Sequence, residues 1–299
     1  MNFHKRISNV YNNSDEIIFD HDSKFIIMSD CHRGDGNWSD SFAHNQNVYF
    51  AALSYYLNEN YTYIELGDGD ELWEYRNIND ILQEHSDVFW LLKKFYEDNR
   101  LYVIYGNHDI VKKNINFLEK NLYNCFSQRH DKNFDLFKDI KVHEGLILKQ
   151  KEDGNNILLL HGHQVDFINM DIWLVTRFLV RYFWRPIENF CFKDVTRTAK
   201  NNRKKNRVSQ RLTQWAIKEN KIIIAGHTHR PVFPEPGEAP YFNDGSCVHP
   251  RCITGIEIED GNIALIKWSI KSSQNGKLMI EKDVMAGPKK IKDYYLNAN

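Results

Sequence analysis

Five short apolar runs in this sequence each end in a small cluster of Asp, His and Asn, and that repetition limits the fold more than any other feature. The runs are Phe25–Ser29, Tyr61–Leu66, Leu101–Tyr105, Asn156–Leu160 and Lys221–Ala225. Rich in β-branched and aromatic residues, they read as strands. Behind them come SDCHRGDG (Asp30, His32), LGDGDELWE (Asp68, with Asp70 and Glu71 close by), YGNHD (Asn107, His108, Asp109), LLLHGHQVD (His161, His163) and AGHTHRP (His227, His229). In an open α/β sheet, ligands bind beyond the carboxyl ends of the strands. Five segments therefore deliver metal-type side chains to one rim. Gly67, Gly106, Gly162 and Gly226 suit sharp turns where backbone passes close to a bound group. One such cluster is an ordinary turn; five in order are a site.

Between the first runs, Ser41–Leu57 and Asp80–Tyr96 place apolar residues at helical spacing, so the rhythm is βαβ and the sheet mainly parallel. Farther on, Tyr241–Val248 and Cys252–Ile270 alternate as strands. Glu259–Asn262 (EDGN) marks a hairpin, expected to close a second sheet with antiparallel strands. Residues 1–299 are expected to form a single domain, interrupted by a helix-rich cap over 166–220. With 42% hydrophobic residues, a packed core is within reach and wholesale disorder is excluded. No apolar run reaches the ~20 residues of a membrane span, and the first residues lack the apolar stretch of a secretory signal. Five cysteines without a CxxC pair argue against a disulfide scaffold or a thiolate zinc site. The expected location is the cytoplasm.

Mixed imidazole and carboxylate donors suit manganese first, then iron or zinc, over the all-oxygen shells of calcium and magnesium. Asp30, His32, Asp68, Asn107, His161, His227 and His229 are too many donors for one ion. They are adequate for two divalent ions sharing a carboxylate, and Asp68 is the natural bridge. Two such ions clamp a phosphate and lower the pKa of a bridging water, whose hydroxide serves as nucleophile.

The order D-x-H, GD-x-x-(D/E), GNHD, HG and GHTH resembles the calcineurin-like metallophosphoesterase superfamily, from Phe25 to about Val248. The resemblance implies a four-layer α/β/β/α sandwich of two mixed sheets carrying a helical cap. It implies that Asp30, His32, Asp68 and His229 hold one metal, and Asp68, Asn107, His161 and His227 the other. His108 would be the general acid, with Asp109 orienting it. The segment Gly67–Trp73 lacks the Tyr of purple acid phosphatases, and the GD-x-V-D-R-G and GNHE patterns of Ser/Thr phosphatases are absent. SD-x-H-x-G, GD-x-x-E-L-W and GHTHRP look most like the UDP-2,3-diacylglucosamine hydrolase branch, which cleaves a pyrophosphate. His108 departs from that branch, which carries Arg there, and the insertion is long. His163 and His249 stand outside the pattern; His163 belongs either beside the site or on the surface. Cys31, between two ligands, reads as a small packing residue.

The net charge of −1 hides an asymmetry: Trp173–Arg211 carries +9 and the rest −10. Arg177, Arg181 and Arg185 recur every four residues and would form one stripe on a helix. With Trp173, Phe178, Phe183 and the basic patch at Asn201–Arg207, this stretch suits a phosphorylated small molecule, a lipid-linked substrate or an anionic membrane surface. Nucleic acid is a weaker match, and the bland alternative is a solvated arginine face. Arg33, beside His32, is a further substrate-phosphate candidate. The expected function is hydrolysis of a phosphate ester or pyrophosphate. The alternatives are a phosphodiesterase or nuclease and, in another class, a non-catalytic metal-binding scaffold. No obligate protein partner is implied.

Overall fold

A computed structural model describes residues 2–75, 77–127, 132–166 and 202–295. Two mixed sheets lie face to face. The seven-stranded sheet runs in the order β14 (Leu278–Lys290), β13 (Asn262–Ser272), β12 (Cys252–Glu259), β2 (Phe25–Met28), β3 (Thr62–Leu66), β4 (Leu101–Ile104) and β7 (Val142–His143). The five-stranded sheet runs β1 (Asp15–Phe19), β8 (Gly145–Gln150), β9 (Asn156–Leu160), β10 (Ile222–Ala225) and β11 (Tyr241–Asn243). A small separate hairpin pairs β5 (Asn124–Ser127) with β6 (Lys132–Asp135).

Side-chain alternation along each strand divides the core into layers. Phe25, Ile27, Ile64 and Leu66 meet Leu146, Leu148, Ile157, Leu159 and Ile224 between the sheets. The intervening residues face outward. Ile26, Met28 and Tyr63 pack under α2 (Gln46–Asn58), α3 (Ile78–Glu84) and α4 (Ser86–Glu97). Leu158, Leu160 and Ile223 pack under Ile7 and Val10 of α1 (Phe3–Asn13) and Val208, Leu212 and Trp215 of α6 (Asn202–Glu219). One short helix, α5 (Ile115–Asn121), follows β4. The central strands of both sheets are thus covered on both faces, which is why they read as nearly unbroken apolar runs. The four-layer α/β/β/α architecture is the one expected.

Three details differ from the sequence expectation. The helix anticipated over Asp80–Tyr96 is two helices, α3 and α4, parted at His85, whose ring nitrogens lie 3.0 Å from Asp40 Oδ2 and 3.1 Å from Gln46 Oε1. The helix anticipated from Ser41 begins only at Gln46. Its Asn45 cap instead donates its side-chain amide to the Cys247, His249 and Cys252 carbonyls. The Glu259–Asn262 hairpin does form, with Asp260 and Gly261 both at positive φ. Its strands, however, extend the first sheet through antiparallel pairing of β12 with β2. The second sheet is completed instead by β1, whose mostly exposed residues carry a weak apolar signal, and by β8, buried over Gly145–Leu148.

β2, β3 and β4 are adjacent and parallel, as are β9 and β10 in the facing sheet. Their carboxyl ends therefore open on one edge of the sandwich. Of the expected cap, residues 167–201 lie outside the described residues, and α6 forms its returning limb. Trp215 anchors that limb, 1% exposed and donating from its indole nitrogen to Ser8 Oγ at 3.0 Å. Trp215→Ala should lower unfolding stability by about 3–5 kcal/mol, read as a reduced urea midpoint at unchanged slope.

Candidate metal centre

The loop after β2 carries Asp30 and His32, that after β3 carries Asp68, and that after β4 carries Asn107 and His108. From the other sheet, β9 leads into His161 and β10 into His227 and His229. Asp30, His32, Asp68, His227 and His229 all hold left-handed backbone, with φ between 48° and 67°. For residues with a Cβ this costs about 1 kcal/mol or more each. Hydrogen bonds between the loops maintain it: Asp30 N donates to Gly67 O, His32 N to Asp68 O, and Gly226 N to His161 O. The glycines are closely packed. A Cβ on Gly67 would stand 2.6 Å from the His161 ring, and one on Gly106 would stand 2.1 Å from Asp68 Oδ1.

Among the described residues three groups of donors could hold a metal ion; one is His32, Glu71 and His108, and the other two are built from the expected ligands. The donor atoms of Asp30, His32 and His229 lie within 4.8 Å of one another, and so do those of Asp68, His161 and His227. Asp68 faces both. Its Oδ1 accepts from the His108 backbone N at 2.7 Å, which leaves Oδ2 3.1 Å from His161 Nε2 and 3.9 Å from His32 Nε2. His229 Nε2 stands 3.0 Å from Asp30 Oδ1 and 3.4 Å from His32 Nε2.

Tautomers follow from the partners. The Leu66 carbonyl can only accept, so His161 Nδ1 donates to it at 2.9 Å and Nε2 carries the lone pair. His32 Nδ1 pairs with Glu71 Oε2 at 2.9 Å, again turning Nε2 inward. Asp30 Oδ1, Asn107 Oδ1 and His161 Nε2 are buried and make no hydrogen bond. Unpartnered buried lone pairs are costly, and a cation lodged among them would satisfy them. The group as it stands fits divalent metal ions.

The electrostatics agree. Burial pushes the Asp30 carboxyl up, but the His229 and His161 imidazoles outweigh it and hold it well below the usual range. Asp68 behaves likewise, through His161 and His108. Burial lowers the His161 pKa, yet Asp68 and Asp30 draw it up to about 9, a measure of the cation-attracting field at its Nε2.

His108 is at the mouth, its side chain 21% exposed, stacked on Trp73 at 4.3 Å between ring centroids. Its Nδ1 is 2.7 Å from Glu71 Oε2, so the carboxylate that orients it is Glu71 and not the expected Asp109. Asp109 is directed elsewhere: it accepts from the backbone N of Gly106 at 2.7 Å and of Gly69 at 3.1 Å, and from Lys112 Nζ at 2.8 Å. Burial lowers the His108 pKa, and Glu71 and Asp68 more than reverse this. The expected substrate contact from Arg33 is also corrected. Its guanidinium is 1% exposed and taken up by Glu65, at 2.7 and 3.0 Å, and Asp70, at 2.6 Å. Arg177, Arg181 and Arg185 lie outside the described residues.

Glu71 was visible in the sequence only as an acid near Asp68, and its double role was not. His163 proves fully buried beside His161 with neither ring nitrogen hydrogen-bonded, and burial pushes its pKa well down. Asp166 Oδ2 stands 3.5 Å from His227 Nε2. Cys31 is buried in the core under α2, a packing residue as expected.

The chain matches the calcineurin-like phosphoesterase family over residues 23–231, well over half its length, and belongs to that family. Divalent-metal binding is a property of the family, consistent with the donor groups above. No curated protein sequence matches the chain significantly. Among solved structures, a single mutant of Vps29 from Entamoeba histolytica aligns at 13% identity and TM-score 0.37, covering 88% of this chain and 99% of that one. Vps29 from Chaetomium thermophilum aligns at 10% identity and TM-score 0.40, covering 89% and 96%.

Because a methyl on Gly106 collides with Asp68, Gly106→Ala should weaken Mn²⁺ binding about 10–100-fold without altering the circular dichroism spectrum. Unchanged affinity in titration calorimetry would mean that Asp68 moves aside freely.

Proposed function

We propose that the protein is a dinuclear-metal hydrolase of a phosphate ester or pyrophosphate. One observation carries this reading: a single oxygen, Asp68 Oδ2, faces both donor groups while its partner oxygen is fixed by the His108 amide. Asp30, His32, Asp68 and His229 would hold one ion, and Asp68, Asn107, His161 and His227 the other, manganese being the first candidate. When bound, such a pair supplies Lewis-acid stabilisation of the phosphoryl group and an activated water.

The chain's own groups do the rest. His108, its Nδ1 held by Glu71 and its ring by Trp73, keeps Nε2 for delivering a proton to the departing oxygen. Glu71 also turns His32, so one carboxylate sets both a ligand and the acid.

The substrate we favour carries a second anionic group beyond the one at the metals, as in a nucleotide- or lipid-linked diphosphate. Lys205, in the first turns of α6, supports this. It is 5% exposed, and among the described residues no carboxylate pairs with it. Burial and the neighbouring Arg230 both depress its pKa, and Asp30 only partly offsets them. A buried ammonium in that setting is best satisfied by a phosphate oxygen. We place the reaction in the cytoplasm, at a membrane surface where the substrate is lipid-linked, with the basic segment as the contact.

Three variants test this. Asp68→Ala should abolish binding of both ions in metal analysis, whereas His32→Ala should weaken mainly one; full activity with one ion or none would refute the dinuclear reading. His108→Ala should cut kcat on poor leaving groups ~10²–10⁴-fold and spare an activated aryl phosphate, with metal content unchanged. An equal loss on both would remove the general-acid role. Lys205→Ala should raise KM for a diphosphate about tenfold or more, the worth of one charge-assisted hydrogen bond, and leave an aryl monophosphate unaffected. Equal effects on the two would sink the diphosphate reading.

A further inference from the structure

Beneath the ligand loops lies a cluster of buried charge that the reaction does not touch: Arg33, Glu65, Asp70, Asp109 and Lys112, all 3% exposed or less. Arg33 bonds Glu65 and Asp70. Lys112 Nζ stands 2.7 Å from Asp70 Oδ2, 2.8 Å from Asp109 Oδ2 and 3.7 Å from Glu65 Oε1. Three carboxylates thus share two cations. Behind them, Phe89, Leu92 and Phe137 line a small cavity on the apolar side of the cluster.

The members come from different loops. Arg33 follows His32, Asp70 follows Asp68 by two, and Asp109 follows Asn107 by two. Lys112 sits on the 3₁₀ turn Ile110–Lys113 just beyond. Asp109 is the link to the ligands. It accepts from Gly69 N, the peptide after Asp68, and from Gly106 N, one residue ahead of Asn107. The packing leaves no room to slide: a Cβ on Gly69 would stand 2.1 Å from Glu65 Oε1 and 2.6 Å from Arg33 Nη2.

Buried ion clusters are weak contributors to stability, because desolvation consumes most of the attraction. What a cluster of this kind does supply is geometry. We infer that Lys112 is a positioning residue for the metal centre: its ammonium holds Asp109 in the orientation that fixes the backbone just after Asp68 and ahead of Asn107. This rests on the dinuclear reading above. Lys112 touches no proposed ligand; it acts at one remove, through Asp109.

The test is Mn²⁺ titration calorimetry on metal-free wild type, Lys112→Met and Asp109→Asn, each first shown folded by near-ultraviolet circular dichroism. Lys112→Met keeps the length and removes the charge. Asp109→Asn keeps Lys112 and the shape, but an amide accepts from only one of the two glycine N–H groups through its single oxygen. Both variants should bind Mn²⁺ about 10–100-fold more weakly, and the exchange-coupled Mn²⁺ pair signal in electron paramagnetic resonance should be lost or altered. If Lys112→Met does not fold, Asp109→Asn decides. Wild-type affinity and an unchanged pair signal in the folded variants would overturn the inference, whatever their thermal midpoints. Wild type binding fewer than two ions would instead defeat the dinuclear reading, and the role of Lys112 with it.

Discussion

Left-handed backbone at Asp30, His32, Asp68, His227 and His229 is the constraint on which the rest of the site depends. A strand that simply ran on would send alternate side chains to opposite faces of the sheet. By turning sharply at their carboxyl ends, β2, β3 and β10 instead aim polar side chains across the edge toward the facing sheet. The cost of these five residues, which lie in three loops, is met by features that tolerate little change: glycines with no room for a methyl, amide–carbonyl bonds between loops, and the packed sheets beneath. Strain of this kind persists only where the surroundings over-determine it.

How much of this the sequence discloses depends on how local the physics is. The strand ends were legible because a doubly covered sheet needs apolar runs and a site needs polar ends, both written in consecutive residues. The hairpin at Asp260–Gly261 was legible for the same reason. The division of Asp80–Tyr96 was not, since it turns on His85 meeting Asp40 and Gln46 far away in sequence. Nor was the sheet that the hairpin joins, because pairing of β12 with β2 is decided across more than 200 residues.

The two reassigned roles share one cause. Asp109 adjoins His108 in sequence, so it looked like its partner, yet adjacent side chains on a tight turn diverge. Glu71, from the next loop, takes its place. Arg33 adjoins His32 and looked outward-facing, but Glu65 draws it in. A signal for that existed: Glu65 stands in the otherwise apolar strand Thr62–Leu66, and a carboxylate buried there requires a cation close by.

On the proposed reading, charge distribution also links a metal centre with the basic groups near it. The heart of the site holds Asp30, Asp68 and Glu71, all kept ionised, and a phosphate approaching such a pocket would be repelled. The buried Lys205, close to Arg230 and Asp30, adds positive charge beside the pocket but cannot reverse the field at its centre. Only cations lodged among the carboxylates do that. On that reading, the acidic interior would select metal ions, and those ions together with the nearby basic groups would select an anionic substrate. Neither half accounts for phosphoester chemistry without the other.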